Sequence, residues 1–125
     1  MNATYDVKTV AGGVLAPKGF RGAGVRCGIK DTPDKLDLAL IASDEPAAAA
    51  GLFTQNRVCG APVKVSRRRL RNGRLQAIVV NAGNANVCTG DAGLEDAEAM
   101  TQAAAEALKL NVGDVGVAST GVIGK

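Results

Sequence analysis

A chain of 125 residues with 46% apolar side chains and a net charge of +3 fits one domain or a large part of one, which excludes a disordered polymer. Only three side chains are aromatic, so the core must be built from Val, Leu, Ile and Ala, with sixteen glycines permitting close backbone approach. That composition describes a tightly packed α/β protein, and its mild charge gives no general attraction to nucleic acid.

Residues 5–10 read as a first short strand, followed by the turn Ala11-Gly12-Gly13 and the loop Ala16-Pro17-Lys18-Gly19. From 20 to 30, Val25, Cys27 and Ile29 alternate with Gly24, Arg26 and Gly28, the period of a strand. Asp31-Thr32-Pro33-Asp34 is a tight turn. The apolar run 36–43 reads as a central strand that Asp44-Glu45-Pro46 ends. Alanines 47–50 favour a helix, but they are too few between Pro46 and Gly51, so 49–54 is read as strand, with Asn56-Arg57 at its end.

Residues 62–65 form another short strand in this reading, and Ser66 caps a basic helix over 67–71. Asn72-Gly73 is a turn. The buried strand 75–80 empties into Asn81-Ala82-Gly83-Asn84-Ala85-Asn86. Asp91 then caps a helix over about 92–110, whose apolar stripe is Leu94, Ala97, Met100, Ala104 and Leu108. Acidic residues crowd its first half and Lys109 lies near its end, as the macrodipole favours. Asn111-Val112-Gly113-Asp114 turns the chain into a last strand, 115–118.

Strand, loop, helix and strand over 75–118 make a β–loop–α–β unit with parallel neighbours, whose carboxyl-end loops share one edge. Asn81–Asn86 and Ser119-Thr120-Gly121 both fall on that edge. A strand ending in Ser-Thr-Gly can aim a hydroxyl and a bare N–H at one point, a candidate oxyanion hole; an ordinary strand-to-turn exit is the plainer alternative. The asparagines either hold and polarise a substrate or cap their own loop. With no titratable base there, such a pocket cannot activate a nucleophile.

Histidine is absent, and Cys27, Cys59 and Cys88 stand far apart, which leaves no zinc spacing, no C-x-x-C and no Cys–His pair. An odd cysteine count, no export or organelle signal over residues 1–8 and no membrane-length apolar run point to the cytoplasm. The basic cluster Arg67, Arg68, Arg69, Arg71 and Arg74 lacks the interleaved aromatics on which bases stack, and reads as a solvated surface helix or turn.

Four blocks occur in order: Ala16-Pro17-Lys18-Gly19-Phe20; Asn56-Arg57; Val80-Asn81-Ala82-Gly83-Asn84-Ala85-Asn86 with Cys88-Thr89-Gly90; and Ser119-Thr120-Gly121-Val122-Ile123-Gly124. Together they resemble the N-terminal part of the α chain of the ornithine acetyltransferases, the glutamate N-acetyltransferases of arginine biosynthesis. The resemblance spans nearly the whole chain; position 82, often Ser in that family, is Ala here.

The resemblance implies a layered α/β sandwich, incomplete over residues 1–125, which make up a single truncated domain of the α chain. It implies a precursor that cuts itself before a threonine, a Lys-Gly-Ala-Thr-Met-Leu type motif that this sequence does not reach. The new N-terminal threonine of the β chain takes the acetyl group of N-acetylornithine and passes it to glutamate in a ping-pong cycle. Thr120 matches the family's hydroxyl donor to the oxyanion and Gly121 its backbone donor. No cofactor is implied, with acetyl-CoA a co-substrate in bifunctional members. The implied partner is the β chain, in a heterotetramer of two α and two β chains, with neither nucleic acid nor membrane. The family's nucleophile and substrate-binding residues lie beyond Lys125, so this segment alone could not acetylate anything. Two readings from other classes compete: a small-ligand module built on the Asn81–Asn86 loop, and an interaction domain using the basic face.

Overall fold

The computed structural model describes residues 6–125. Its centre is the run of aliphatic residues expected as a buried strand, which extends to Arg74–Asn84 as β3. On one side β3 pairs antiparallel with β2 (Leu38–Ala48), which pairs antiparallel with β1 (Phe20–Val25). On the other it pairs in parallel with β4 (Val115–Val122), giving the order β1-β2-β3-β4. The crossover from β3 to β4 carries α2 (Gly90–Leu108), and α1 (Ala61–Arg69) links β2 to β3. Single 3-10 turns stand at Gly13–Leu15, Leu70–Asn72 and Val112–Asp114.

One face of the sheet holds the core. Ala42 of β2, Ala77 and Val79 of β3, and Val115 and Val117 of β4 meet Ala61 and Val65 of α1 and Ala97, Ala104 and Ala105 of α2. The most buried line of α2 is Gly93, Ala97, Thr101, Ala104 and Ala105. Leu94, Met100 and Leu108, from the expected stripe, flank that line half-buried. Small residues sit where helix and sheet come closest, as a core poor in aromatics requires. The opposite face carries Phe20, Ile41 and Ile78, none of them fully buried. No helix among the described residues is long and apolar enough to cross a membrane.

Several expected boundaries move, each for a physical reason. Residues 62–65 are helix, not strand, because Pro62 stands in the first turn, where no N–H is needed, and Ala61, Pro62, Val65 and Ser66 fall on one helical face. Ser66 is therefore inside α1 and caps nothing. Residues 49–54 form no strand, since the bond from Ala49 N–H to Gly73 O (2.9 Å) is the last rung available to them. β2 does not stop at Asp44-Glu45-Pro46 but runs on through a register shift between Ala42 and Ala47. There the Ser43 hydroxyl bonds Glu45 O (2.6 Å), and the bulge spares Pro46 an N–H. β1 ends at Val25, because residues 27–30 turn inward instead. Residues 6–10 have no regular structure, and Tyr5 lies outside the described residues. Asp91 lies in the first turn of α2, and Thr89 occupies the cap position without a side-chain capping bond.

Candidate active site

The parallel ladder carries both expected segments to the same end of the sheet. Asn81 faces Ser119, Ala82 faces Thr120 and Gly83 faces Gly121. Neither segment leaves the strand where the sequence suggested, since β3 continues to Asn84 and β4 to Val122. Successive side chains of a strand point to opposite faces, so the two hydroxyls diverge. Ser119 turns to the helix side, where its Oγ is buried without a hydrogen-bond partner among the described residues. Thr120 falls on the open face and is exposed.

Gly121 follows at φ +134°, and a Cβ there would overlap the carbonyl group of Gly83. Only glycine fits both the angle and the approach. Val117, four residues earlier, sends its N–H and C=O to the outer edge of β4, where both bond the Ser66 hydroxyl (2.9 and 2.6 Å). The same alternation aims the Gly121 N–H at that free edge. An exposed hydroxyl thus precedes a bare main-chain donor, and neither can ionise. The pair can stabilise negative charge but cannot take a proton from a nucleophile.

The carboxamides behave differently. Asn86 is buried; its N–H bonds Asn84 Oδ1 (2.7 Å), its Nδ2 donates to Gly93 O (2.7 Å), and its Oδ1 accepts from the Thr89 hydroxyl (2.6 Å). Asn81 Nδ2 donates to Asn84 O (2.9 Å), and Asn84 Nδ2 to Lys125 O (2.7 Å). These bonds hold the β3–α2 connection, in which Asn86 and Cys88 adopt positive φ. Of the two roles open in the sequence, capping of their own loop is the one observed. A cleft of about 180 Å³ does lie on the helix side, lined by Asn81, Asn84, Asp96, Met100 and Ser119, so a carboxylate stands where the sequence suggested no titratable base. Thr120 and Gly121 do not line it.

Behind this end of the sheet sits Asp37, 2% exposed. One carboxylate oxygen accepts the N–H of Cys27 (2.6 Å); the other accepts those of Gly28 (3.1 Å) and Lys30 (3.0 Å). The N–H groups of Cys27 and then Lys30 hold its carboxyl well below the usual carboxylate range, against the opposing effect of burial. The Cys27 thiol beside it is pushed up, by desolvation first and then by the carboxylate. Sequence reading passed over Asp37 as one residue of an apolar strand. A charge inside an apolar run, downstream of Gly28, was the signal it left.

Residues 21–125 match the ArgJ family. The chain belongs to that family. Over 116 residues it is 53% identical to the arginine biosynthesis bifunctional protein ArgJ of Symbiobacterium thermophilum, an alignment covering 92% of this chain and 29% of the relative. The ArgJ of Chlorobaculum tepidum is 48% identical over 114 residues, 90% of this chain and 28% of the relative. The chain thus spans less than a third of the length of these curated ArgJ relatives. Among solved structures, the argJ protein of Bacillus halodurans matches with a TM-score of 0.86 at 42% identity, covering 91% of this chain and 59% of that one. Ornithine acetyltransferase of Mycobacterium tuberculosis, solved with ornithine, matches with a TM-score of 0.85 at 47% identity, covering 90% and 61%. The mixed sheet with two helices on one face is the ArgJ fold over this stretch.

In this ArgJ chain the arginine cluster is spent largely on internal contacts. Glu98 of α2 pairs with Arg68 and with the half-buried Arg69 (2.7 Å), Arg74 pairs with Asp114 (3.2 Å), and Arg67 stands 5.3 Å over the Phe53 ring. The face is solvated as the sequence suggested, with Arg67, Arg68, Arg71 and Arg74 exposed, and through Glu98 the pair Arg68 and Arg69 also ties α1 to α2.

Proposed function

We propose that this chain is part of an acetyltransferase that moves an acetyl group from N-acetylornithine to glutamate through an acetyl-threonine enzyme, and that Thr120 and Gly121 supply its oxyanion hole. The observation that carries the reading is membership in the ArgJ family combined with an exposed Thr120 hydroxyl directly before a main-chain donor that only glycine can present. In this reading the nucleophilic threonine belongs to a β chain, in a heterotetramer of two α and two β chains in the cytoplasm. Acetyl-CoA would serve as a second acetyl donor if the chain shares the bifunctionality its relatives' names record. Acyl transfer changes no oxidation state, so the reaction calls for no redox cofactor.

The threonine oxygen bonds to the acetyl carbon as its proton passes to the threonine's own terminal amine, which later hands it to the leaving amine. The carbon becomes tetrahedral and the carbonyl oxygen an oxyanion. Collapse breaks the C–N bond, and ornithine leaves as its amine picks up a proton. The amine of glutamate then attacks the acetyl ester, a second oxyanion forms, and N-acetylglutamate departs as the threonine regains its hydroxyl. Both halves place negative charge on one oxygen, so a single pair of fixed donors serves both. A ligand-binding module built on the asparagines is the weaker reading, because their amides already donate to protein carbonyls, those of Asn84, Lys125 and Gly93.

The complete enzyme incubated with N-acetylornithine alone should release ornithine and leave one acetyl group on a threonine, detectable by peptide mass spectrometry. Ornithine release that waits for glutamate, with no acetylated peptide, would rule out the ping-pong scheme.

A further inference from the structure

We propose that Asp37 is a positioning residue for the Thr120–Gly121 donor pair, acting through the 27–30 loop and the end of β3; this rests on the oxyanion reading above. The connection runs from the 27–30 loop through the Ile29 side chain to Gly83 of β3 and across the paired strands to Gly121. Asp37 gathers the N–H groups of Cys27, Gly28 and Lys30 onto its two oxygens, which fixes the loop. Its own N–H bonds Val25 O (3.1 Å), and its C=O accepts the N–H of Ala82 (2.8 Å), the residue opposite Thr120.

The loop then presses on the neighbouring residue of β3. A Cβ on Gly83 would lie 2.7 Å from Ile29 Cγ2, so loop and strand touch with no space between them. Gly83 in turn backs Gly121, where a Cβ would overlap the Gly83 carbonyl. Loop, β3 and β4 therefore cannot shift independently at this point. Close-packed layers transmit displacement, and an oxyanion donor displaced by an ångström loses much of its effect. Asparagine keeps the shape of Asp37 but turns one acceptor into an N–H₂ facing N–H donors, which releases one side of the loop.

The test is a double-mutant cycle on the complete, fully processed enzyme: wild type, Asp37→Asn, Thr120→Ala and the double variant, each with kcat and KM measured separately. Asp37→Asn should lower kcat by roughly 10–10²-fold with KM nearly unchanged. The double variant should be little slower than Thr120→Ala alone, because both changes disable one device. A normal Thr120→Ala loss beside an intact kcat in Asp37→Asn, or losses that multiply, overturns the assignment of Asp37 alone. An intact kcat in Thr120→Ala strikes the oxyanion reading itself and takes this proposal with it. Should Asp37→Asn fail to mature, Ile29→Ala keeps the carboxylate cage and removes only the brace on Gly83. It should show the same non-additive kcat loss, and an unaffected kcat there also overturns the proposal.

Discussion

Asp37 joins chemistry to fold at the scale of one side chain. A carboxylate with only 2% exposure survives in this chain because three main-chain N–H groups replace its water. Its folded pKa is depressed, so its contribution to stability is complete above the unfolded value of about 3.9 and is lost as pH falls below that. Asp37→Asn should therefore be less stable than wild type at pH 7 and should lose less on acidification, so that the two stabilities converge below pH ~4. Denaturant unfolding at a series of pH values measures this, and two parallel curves would contradict it. At the same scale, the sequence singles out Thr120 and Gly121 as candidates but does not show how they are held. The Ser-Thr-Gly run announces two hydroxyls, while their divergence to opposite faces follows from the strand continuing to Val122, which depends on pairing with β3. Likewise, the glycine requirement at position 121 is a matter of contact with Gly83, a residue 38 positions away in the chain.

At the scale of elements, β4 is an edge strand, and α1 covers part of that edge with one hydroxyl. Ser66 is buried, donates to Val117 O (2.6 Å) and accepts from Val117 N–H (2.9 Å), standing where another strand would pair. Ser66→Ala leaves both main-chain groups unpaired in a buried setting and should cost about 1–3 kcal/mol. Hydrogen exchange at the Val117 amide should accelerate with it, and unchanged protection there would mean that another group covers the edge. The periodicity that predicts α2 comes from its own sequence, and so does the aliphatic run of β3; both were legible, together with their parallel partner β4. α1 was misread because Val63 and Val65 favour strand locally, whereas the burial of Ala61, Pro62, Val65 and Ser66 against β4 and α2 decides for helix. The 49–54 stretch was misread for the opposite reason: it has strand-like residues and no strand to pair with. Local pattern carries an element only where tertiary pairing agrees with it.

For the whole molecule, helices cover one face of the sheet and the other carries exposed or half-buried Phe20, Ile41 and Ile78. The Thr120 side chain falls on that open face, and Gly121 lies at the free edge of β4. In the proposed function this segment contributes donors to a nucleophile carried elsewhere; the curated ArgJ relatives it matches are more than three times as long as the stretch matched. Steady-state kinetics of Thr120→Ala in the complete, fully processed enzyme test that division of labour. Because the hydroxyl matters when the carbonyl oxygen becomes charged, we expect kcat to fall by roughly 10²–10³-fold with KM shifting far less. Thr120→Ser, which keeps the hydroxyl, should retain much of the rate. An unchanged kcat with a raised KM would contradict the oxyanion role and make Thr120 a substrate-binding residue.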